Sequence, residues 1–201
     1  TIYTDINIIL YFYRTTVISN MFYSENASKH CFIDSLATEE VYTRVCRDYQ
    51  FIDIPTHGCA DNPDNPYIIF HESDNDSVLL ATNDGKLELE DVFDLYPMRA
   101  DLVTLTACQS GIGKNIPGEG MISLVRGFLY AGVSNITYSL FKIKSGYSKE
   151  IMVNFYSEIN KQKGNVSYSK ALQLAKIRLI DDQNQAATPS DWSPIILMGV
   201  N

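Results

Sequence analysis

Short apolar runs alternate along the chain with longer segments in which apolar residues recur every three or four positions. The runs predict β-strands over residues 6–14, 51–55, 102–107, 134–140 and 195–198. The three- and four-residue spacing predicts helices that begin near Ser35, Glu90, Gly118, Ser145 and Ser167. Because strands that alternate with helices build parallel sheets, we expect an α/β fold with a mostly parallel sheet and helices on both faces.

Polar, turn-rich segments separate these elements. Residues 59–66 contain Asn, Asp and Pro in close succession and predict a loop. Residues 67–70 and 78–82 are expected to pair as a small hairpin. A glycine-rich loop is predicted over 111–120, and the helix that follows it is expected to end at Gly132.

Composition and charge narrow the class of protein. The 201 residues, 45% of them hydrophobic, suit a single domain over residues 1–201, which we expect to be part of a longer chain. The formal net charge of −8 argues against a nucleic-acid partner, because such partners bind basic surfaces. The apolar runs are far shorter than the ~20 residues that cross a bilayer, so we expect no membrane association.

The cysteines bear on the cellular setting and on metal binding. None of the four is in a C-x-x-C spacing: Cys31, Cys46, Cys59 and Cys108. In a chain of this size the pattern does not suggest a disulfide framework, and we expect a reducing, cytoplasmic setting. A zinc site could combine the first three with His30 and His57, but these spacings match no usual zinc pattern. We therefore expect no metal and no other cofactor.

Two residues with catalytic potential follow predicted strands. His57 comes after the strand at 51–55, and Cys108, 51 residues later, comes after the strand at 102–107. Ligands of parallel sheets bind beyond the carboxyl ends of the strands, which is where both side chains are expected. A histidine within reach of a cysteine can accept its proton and leave a nucleophilic thiolate. The pair is therefore the candidate for nucleophilic catalysis.

Backbone groups beside the pair could complete such a site. Attack on a carbonyl creates an oxyanion, which N–H donors must stabilise. Gly58 has no side chain, so its N–H can approach a substrate oxygen closely, and the N–H of Cys108 can be the second donor. Asp53 could orient His57, although a solvated or edge-exposed acid is the simpler interpretation of its place in the strand.

The residues around the pair resemble the CHAT domain family. The resemblance rests on Ile-Pro-Thr-His-Gly at 54–58, on Ala-Asp-Leu-Val-Thr-Leu-Thr-Ala-Cys-Gln-Ser-Gly at 100–111, and on Gly-Glu-Gly-Met-Ile-Ser-Leu-Val-Arg-Gly-Phe-Leu-Tyr-Ala-Gly-Val at 118–133. It runs from about Phe51 to Val200 and is weak over residues 1–50. CHAT domains are caspase-like peptidases that are often fused to tetratricopeptide repeats.

This resemblance implies a caspase-like fold and cysteine endopeptidase activity without a metal. Carried over motif by motif, His57 is the general base, Cys108 is the nucleophile and Gly58 contributes to the oxyanion hole. The implied partners are a protein substrate and a regulatory protein or fused repeat domain.

The chain departs from the family pattern at two places. Pro55 stands where alanine usually precedes Thr-His-Gly. After Ser-Leu at 139–140 the family often has a tryptophan and then an acid, whereas this chain continues Phe-Lys-Ile-Lys-Ser. A preference for basic substrate residues is therefore not supported, and the substrate preference stays open.

Two other functions remain compatible with the sequence. A catalytically silent caspase-like module could serve as an interaction platform on a larger sensor. The alternation of strands and helices alone would also allow a flavodoxin-like small-molecule binder. Reaction of Cys108 with a thiol-directed peptide probe would favour the peptidase, whereas bound flavin or nucleotide would favour the small-molecule binder.

Overall fold

The structure is a computed structural model that describes residues 8–12, 29–56, 58–59, 66–71, 84–105, 114–116, 120–122, 124–140, 143–161, 167–182 and 187–200. Its strands are β1 (Ile8–Phe12), β2 (Lys29–Ile33), β3 (Phe51–Ile54), β4 (Gly58–Cys59), β5 (Tyr67–Ile69), β6 (Lys86–Leu87), β7 (Leu102–Leu105), β8 (Lys114–Ile116), β9 (Gly120–Ile122), β10 (Asn135–Ser139) and β11 (Ile195–Gly199). Its α-helices are α1 (Glu39–Val45), α2 (Leu89–Asp94), α3 (Leu124–Tyr130), α4 (Ser145–Lys161), α5 (Tyr168–Asp181) and α6 (Pro189–Trp192).

A six-stranded sheet forms the centre of the fold, with the strand order β11-β10-β7-β3-β1-β2. The five strands from β10 to β2 are parallel to one another, and β11 pairs antiparallel with β10 at one edge. The two strands that lead towards His57 and Cys108, β3 and β7, are neighbours in the middle of this sheet.

Alternate side chains of β3 and β7 enter two separate cores. Ile52 and Val103 pack on the face that carries α1, α2 and α3. Phe51 and Leu102 pack on the opposite face, which carries α4 and α5. All residues of both strands are buried, which explains why both segments are apolar throughout most of their length. The predicted mostly parallel sheet with helices on both faces is confirmed.

Local sequence signals account for several element ends. Ser167 caps α5 by accepting the backbone N–H of Lys170 at 3.3 Å, and the helix begins where the sequence predicts it. Gly132 has φ +109°, and a Cβ built on it would lie 2.6 Å from the backbone oxygen of Met98. Only glycine fits this turn, so the predicted end of α3 at Gly132 is confirmed.

Two short antiparallel sheets correct the predicted loops. The segment 59–66 does not begin as a loop, because Cys59 belongs to β4, which pairs with β5. The partners of β5 are β4 and β6, and the predicted hairpin partner at 78–82 lies outside the described residues. Residues 114–116 and 120–122 pair as β8 and β9, so the loop predicted over 111–120 is wrong in that part.

The start of α3 and two whole elements differ from the sequence-based predictions. Because Gly120–Ile122 is paired as a strand, α3 begins at Leu124 rather than near Gly118. The edge strand β2 and the four-residue helix α6 were not predicted, since neither has a clear apolar period. Among the described residues no helix combines the length and the apolar character needed to cross a membrane.

Candidate active site

The parallel register of β3 and β7 has the same offset as the two candidate catalytic residues. The paired positions run from Phe51 opposite Leu102 to Ile54 opposite Leu105, each pair 51 positions apart in sequence. His57 and Cys108 are also 51 positions apart, each three residues beyond the last pair. Both residues lie outside the described part of the chain. β3 and β7, the strands that precede them, lie side by side and end at the same level at the carboxyl edge of the sheet.

The residues on either side of position 57 are held by β5. The Thr56 hydroxyl donates to the backbone oxygen of Ile69 at 2.6 Å. Gly58 pairs with Ile68 in the antiparallel sheet of β4 and β5. Hydrogen bonds on both sides of a residue restrict its backbone more than a bond on one side does. Thr56 and Gly58, the residues that flank position 57, are thus attached to a second sheet.

A buried glutamate connects that second sheet to α1. Glu39 Oε2 accepts the N–H of Gly85, the residue before β6, at 3.1 Å. Burial, together with the negative charge of Asp91, raises the pKa of Glu39 to about 7. The N–H of His71 donates to the backbone oxygen of Ala37 at 2.9 Å and adds a second link. The support of the segment around Gly58 therefore extends through β5 and β6 to the start of α1.

Asp53 is buried, and the expectation of a solvated or edge-exposed acid is wrong. Its exposed fraction is 2%, and it lies on the α4 face of β3, in register with Thr104 of β7. Neither carboxyl oxygen makes a hydrogen bond of ordinary geometry, although Tyr156 of α4 is close enough to stabilise the charged form. Burial outweighs that contact and raises the pKa of Asp53 to about 8. A solvated acid was expected because alternation suggests an outward face, but this sheet is covered on both faces.

The polar row that contains Asp53 continues across the sheet. Thr104 pairs with Thr137 of β10, and both threonines are buried on the same face. Tyr156 lies above this row, and burial, followed by the charge of Asp53, raises its pKa well above the ordinary value. The row lies four residues before His57 in β3 and four residues before Cys108 in β7. It can support the carboxyl edge of the sheet from below, but its side chains are too deeply buried to contact a ligand.

A second polar group lies at the carboxyl edge beyond β10. Lys144, directly before α4, forms an ion pair with Asp191 of α6, Nζ to Oδ1, at 3.4 Å. Asp191 Oδ2 accepts the Thr188 hydroxyl at 2.6 Å and the Thr188 N–H at 2.9 Å. These two hydrogen bonds, and to a smaller extent Lys144, hold the pKa of Asp191 below its ordinary value. The Thr-x-x-Asp capping pattern at 188–191 is the sequence signal that predicts the contact of Thr188 with Asp191.

The other thiols and histidines in the described residues do not form a metal site. Cys46 is buried, which raises its pKa to about 12. Cys31 is an exposed free thiol on the edge strand β2. His30 Nδ1 is hydrogen-bonded to the hydroxyl of Tyr49. Within the ranges that the structure describes, no three His, Cys, Asp or Glu side chains are grouped as a metal site requires. His57 lies outside those ranges, so the structure does not test the zinc site that would include it.

Comparison with known proteins identifies relatives of this chain. The sequence model of the CHAT domain family matches residues 13–200. Tetratricopeptide repeat protein 28 of Mus musculus is 27% identical over 136 residues, which are 60% of this chain and 5% of that protein. The Homo sapiens protein of the same name is 29% identical over 114 residues, which are 56% of this chain and 4% of that protein. The chain thus spans about a twentieth of the curated relatives it matches.

The fold also resembles a solved structure of low sequence identity. Separase of Saccharomyces cerevisiae, in its complex with securin, superposes with a TM-score of 0.61 and 10% identity. The match covers 98% of this chain and 12% of the separase chain. At this identity the likeness concerns the fold alone. It confirms the caspase-like fold that the sequence resemblance implies.

Proposed function

Because the chain belongs to the CHAT domain family, we propose that it is a cysteine endopeptidase with Cys108 as the nucleophile and His57 as the general base. The observation that carries the proposal is the β3–β7 register. Its last pair, Ile54 and Leu105, comes three residues before His57 and three residues before Cys108. Neighbouring parallel strands are about 4.8 Å apart. Strand ends this close can bring an imidazole and a thiol that follow them within reach of a hydrogen bond.

The proposed reaction begins with proton transfer from the thiol. His57 accepts the S–H proton of Cys108, because a free thiol of pKa about 8.5 is only a few per cent ionised at neutral pH. The Cys108 sulfur then attacks the carbonyl carbon of the peptide bond and a C–S bond forms. The carbonyl electrons move onto oxygen and create an oxyanion. The N–H groups of Gly58 and Cys108 donate to that oxygen.

Collapse of the tetrahedral intermediate releases the first product. The C–N bond breaks as His57 gives its proton to the leaving nitrogen, and a thioester remains on Cys108. Water then attacks the thioester carbon and loses a proton to His57. The C–S bond breaks, the acid product leaves and the thiol is restored. The contacts of Thr56 and Gly58 with β5 support this scheme, because the residue before the proposed base and the proposed oxyanion donor are attached to the same strand.

A repeat domain is the proposed regulatory partner. The curated relatives are tetratricopeptide repeat proteins of which this chain matches about a twentieth, which is consistent with a fused repeat domain. A peptidase attached to such a domain can be held inactive until the repeats bind their target. The expected substrate is a protein.

A thiol-directed peptide probe tests the proposal. The intact protein is treated with a peptidyl acyloxymethyl ketone, and the labelled cysteine is identified by mass spectrometry. We expect labelling at Cys108 that is lost in His57→Ala. Cys31 is the matched control, because it is exposed but has no role in the scheme. Equal labelling of Cys108 in both proteins would remove the base assignment, and labelling only at Cys31 would favour a catalytically silent module.

A further inference from the structure

The carboxyl edge of β10 carries an ammonium group that the catalytic scheme does not use. β10 is the neighbour of β7, and Tyr138 pairs with Leu105, three residues before Cys108. Lys144 follows β10 and directly precedes α4. Asp191 lies in α6, directly before the antiparallel strand β11, so it reaches the same edge from the other direction. The ion pair therefore lies one strand away from the strand that leads to the nucleophile.

The two partners of the ion pair differ greatly in exposure. The Asp191 side chain is 3% exposed and the Lys144 side chain is 75% exposed. Because the carboxylate is buried and the ammonium is exposed, the pair presents its positive end to solvent. At short range, a substrate that approaches this edge meets the cation first.

Most of the acceptor capacity of Asp191 is occupied, since a carboxylate has about four lone-pair sites. One carboxyl oxygen accepts two hydrogen bonds from Thr188, and the other faces Lys144. A basic substrate side chain would have to displace Lys144 to reach this carboxylate. The capping of α6 by Thr188 uses the other carboxyl oxygen and does not need Lys144. The pair is thus poorly suited to binding a substrate cation.

The ammonium of Lys144 has bonding capacity left. One direction is taken by Asp191, and the ring of Tyr147 lies 5.5 Å from Nζ on another side. An ammonium group has three N–H donors, so at least one remains for a further acceptor. The two contacts limit the movement of the long side chain, which lowers the entropy lost when a third group binds.

We propose that Lys144 is a specificity-determining residue that binds an acidic side chain of the substrate close to the scissile bond. This inference rests on the proposed peptidase function and extends it to the substrate class. The sequence at residues 139–145 lacks the acid that would favour basic substrate residues. The inference proposes the opposite preference, for acidic residues. The partner it assigns is a protein segment with Asp or Glu beside the bond that is cut.

Three probes that differ in one residue test the inference. Peptidyl acyloxymethyl ketones carry Asp, Leu or Arg next to the reactive carbon, and the rate of Cys108 labelling in the intact protein is measured for each. We expect the Asp probe to react about fivefold faster than the Leu probe, the size of one exposed ion pair. Lys144→Met should abolish this ratio, and Lys144→Glu should favour the Arg probe.

Two further variants separate the specificity role from general effects. Asp191→Asn keeps an acceptor for Thr188 and leaves Lys144 charged, so the preference for the Asp probe should persist. Lys170→Glu makes the same charge change at the first turn of α5, where Lys170 binds Gln173 at 3.0 Å, and should change no ratio.

The outcomes distinguish this inference from the proposed function. If Cys108 is labelled but the ratios of Lys144→Glu equal those of the wild type, the inference is wrong and the peptidase site stands. If the protein prefers the Arg probe and Asp191→Asn removes this preference, the Asp191 carboxylate is the recognition group and the inference about Lys144 is wrong. If no probe labels Cys108, the peptidase proposal fails and the inference fails with it.

Discussion

Ile54 and Leu105 are register partners at the carboxyl ends of the two central parallel strands. Three residues separate each of them from a candidate catalytic residue, His57 after Ile54 and Cys108 after Leu105. A shift of one position in this register would turn the side chains of one strand to the other face of the sheet. The proposed dyad therefore depends on how β3 and β7 pair, and the residues that support these strands should influence activity.

The hydroxyl of Thr56 should matter for activity as well as for stability. Thr56→Val keeps the shape of the side chain and removes its hydrogen bond to the Ile69 oxygen. We expect kcat/KM to fall about fivefold, the equivalent of one ordinary hydrogen bond of about 1 kcal/mol, because the backbone beside His57 loses one of its anchors. Peptide hydrolysis and thermal melting of the same preparations measure the two effects.

Thr43→Val is the matched control for that experiment. Thr43 Oγ1 also donates to a backbone oxygen, that of Glu40, at 3.1 Å, but within α1. Its activity should match the wild type. Equal losses of activity in both variants would show that the effect of Thr56 is not specific to the segment around His57.

The buried carboxyl of Asp53 should make stability depend on pH. Burial raises the pKa of Asp53 to about 8, so the folded state holds this proton more tightly than the unfolded chain. The stability that the neutral carboxyl provides is fully present below the unfolded pKa, about 4. It is lost progressively as the pH rises through the folded pKa.

Asp53→Asn removes this titration. Between pH 4 and pH 8 the variant should gain stability relative to the wild type, by up to about 1.4 kcal/mol per pH unit. Denaturant unfolding at several pH values measures the difference, and Asp94→Asn, an exposed position on α2, should show no such trend. Parallel curves for Asp53→Asn and the wild type would mean that Asp53 is ionised in the folded protein.

The sequence predicts the sheet better than it predicts the support of the site. β3 and β7 are mostly apolar because helices cover both faces of the sheet, so their existence and their first residues, Phe51 and Leu102, follow from the pattern. The burial of Asp53 also follows from that architecture, because a sheet covered on both sides has no solvated face. Alternation within the strand alone suggested the opposite. The prediction of a solvated Asp53 was wrong because α4 and α5 cover that face of the sheet.

The remaining site features depend on contacts between distant segments. The ion pair of Lys144 and Asp191 joins the start of α4 to α6, and no local pattern relates the two residues. The contact of Thr56 with Ile69 requires β5 to lie beside Thr56 and β4, whereas the sequence predicted a loop from residue 59 onwards. The β8–β9 pairing likewise depends on tertiary context, since three-residue strands have no detectable period.

Two glycines should respond in opposite directions to substitution by alanine. Gly132→Ala places a methyl group against the Met98 oxygen at a positive φ, and we expect a loss of roughly 2 kcal/mol or more. Gly146→Ala has open space around its Cβ in the first turn of α4, and should be neutral or stabilising by up to about 1 kcal/mol. Thermal melting compares them, and equal destabilisation by both would contradict the described turn at Gly132.

The pH dependence of Cys108 alkylation tests the central claim most directly. The rate of reaction with iodoacetamide is followed by mass spectrometry in the intact protein and in His57→Ala, with Cys31 of the same sample as the internal reference. If His57 activates Cys108, the midpoint lies below about 8.5 in the wild type and moves up in His57→Ala, while Cys31 is unchanged. Coinciding Cys108 profiles in the two proteins would contradict the dyad.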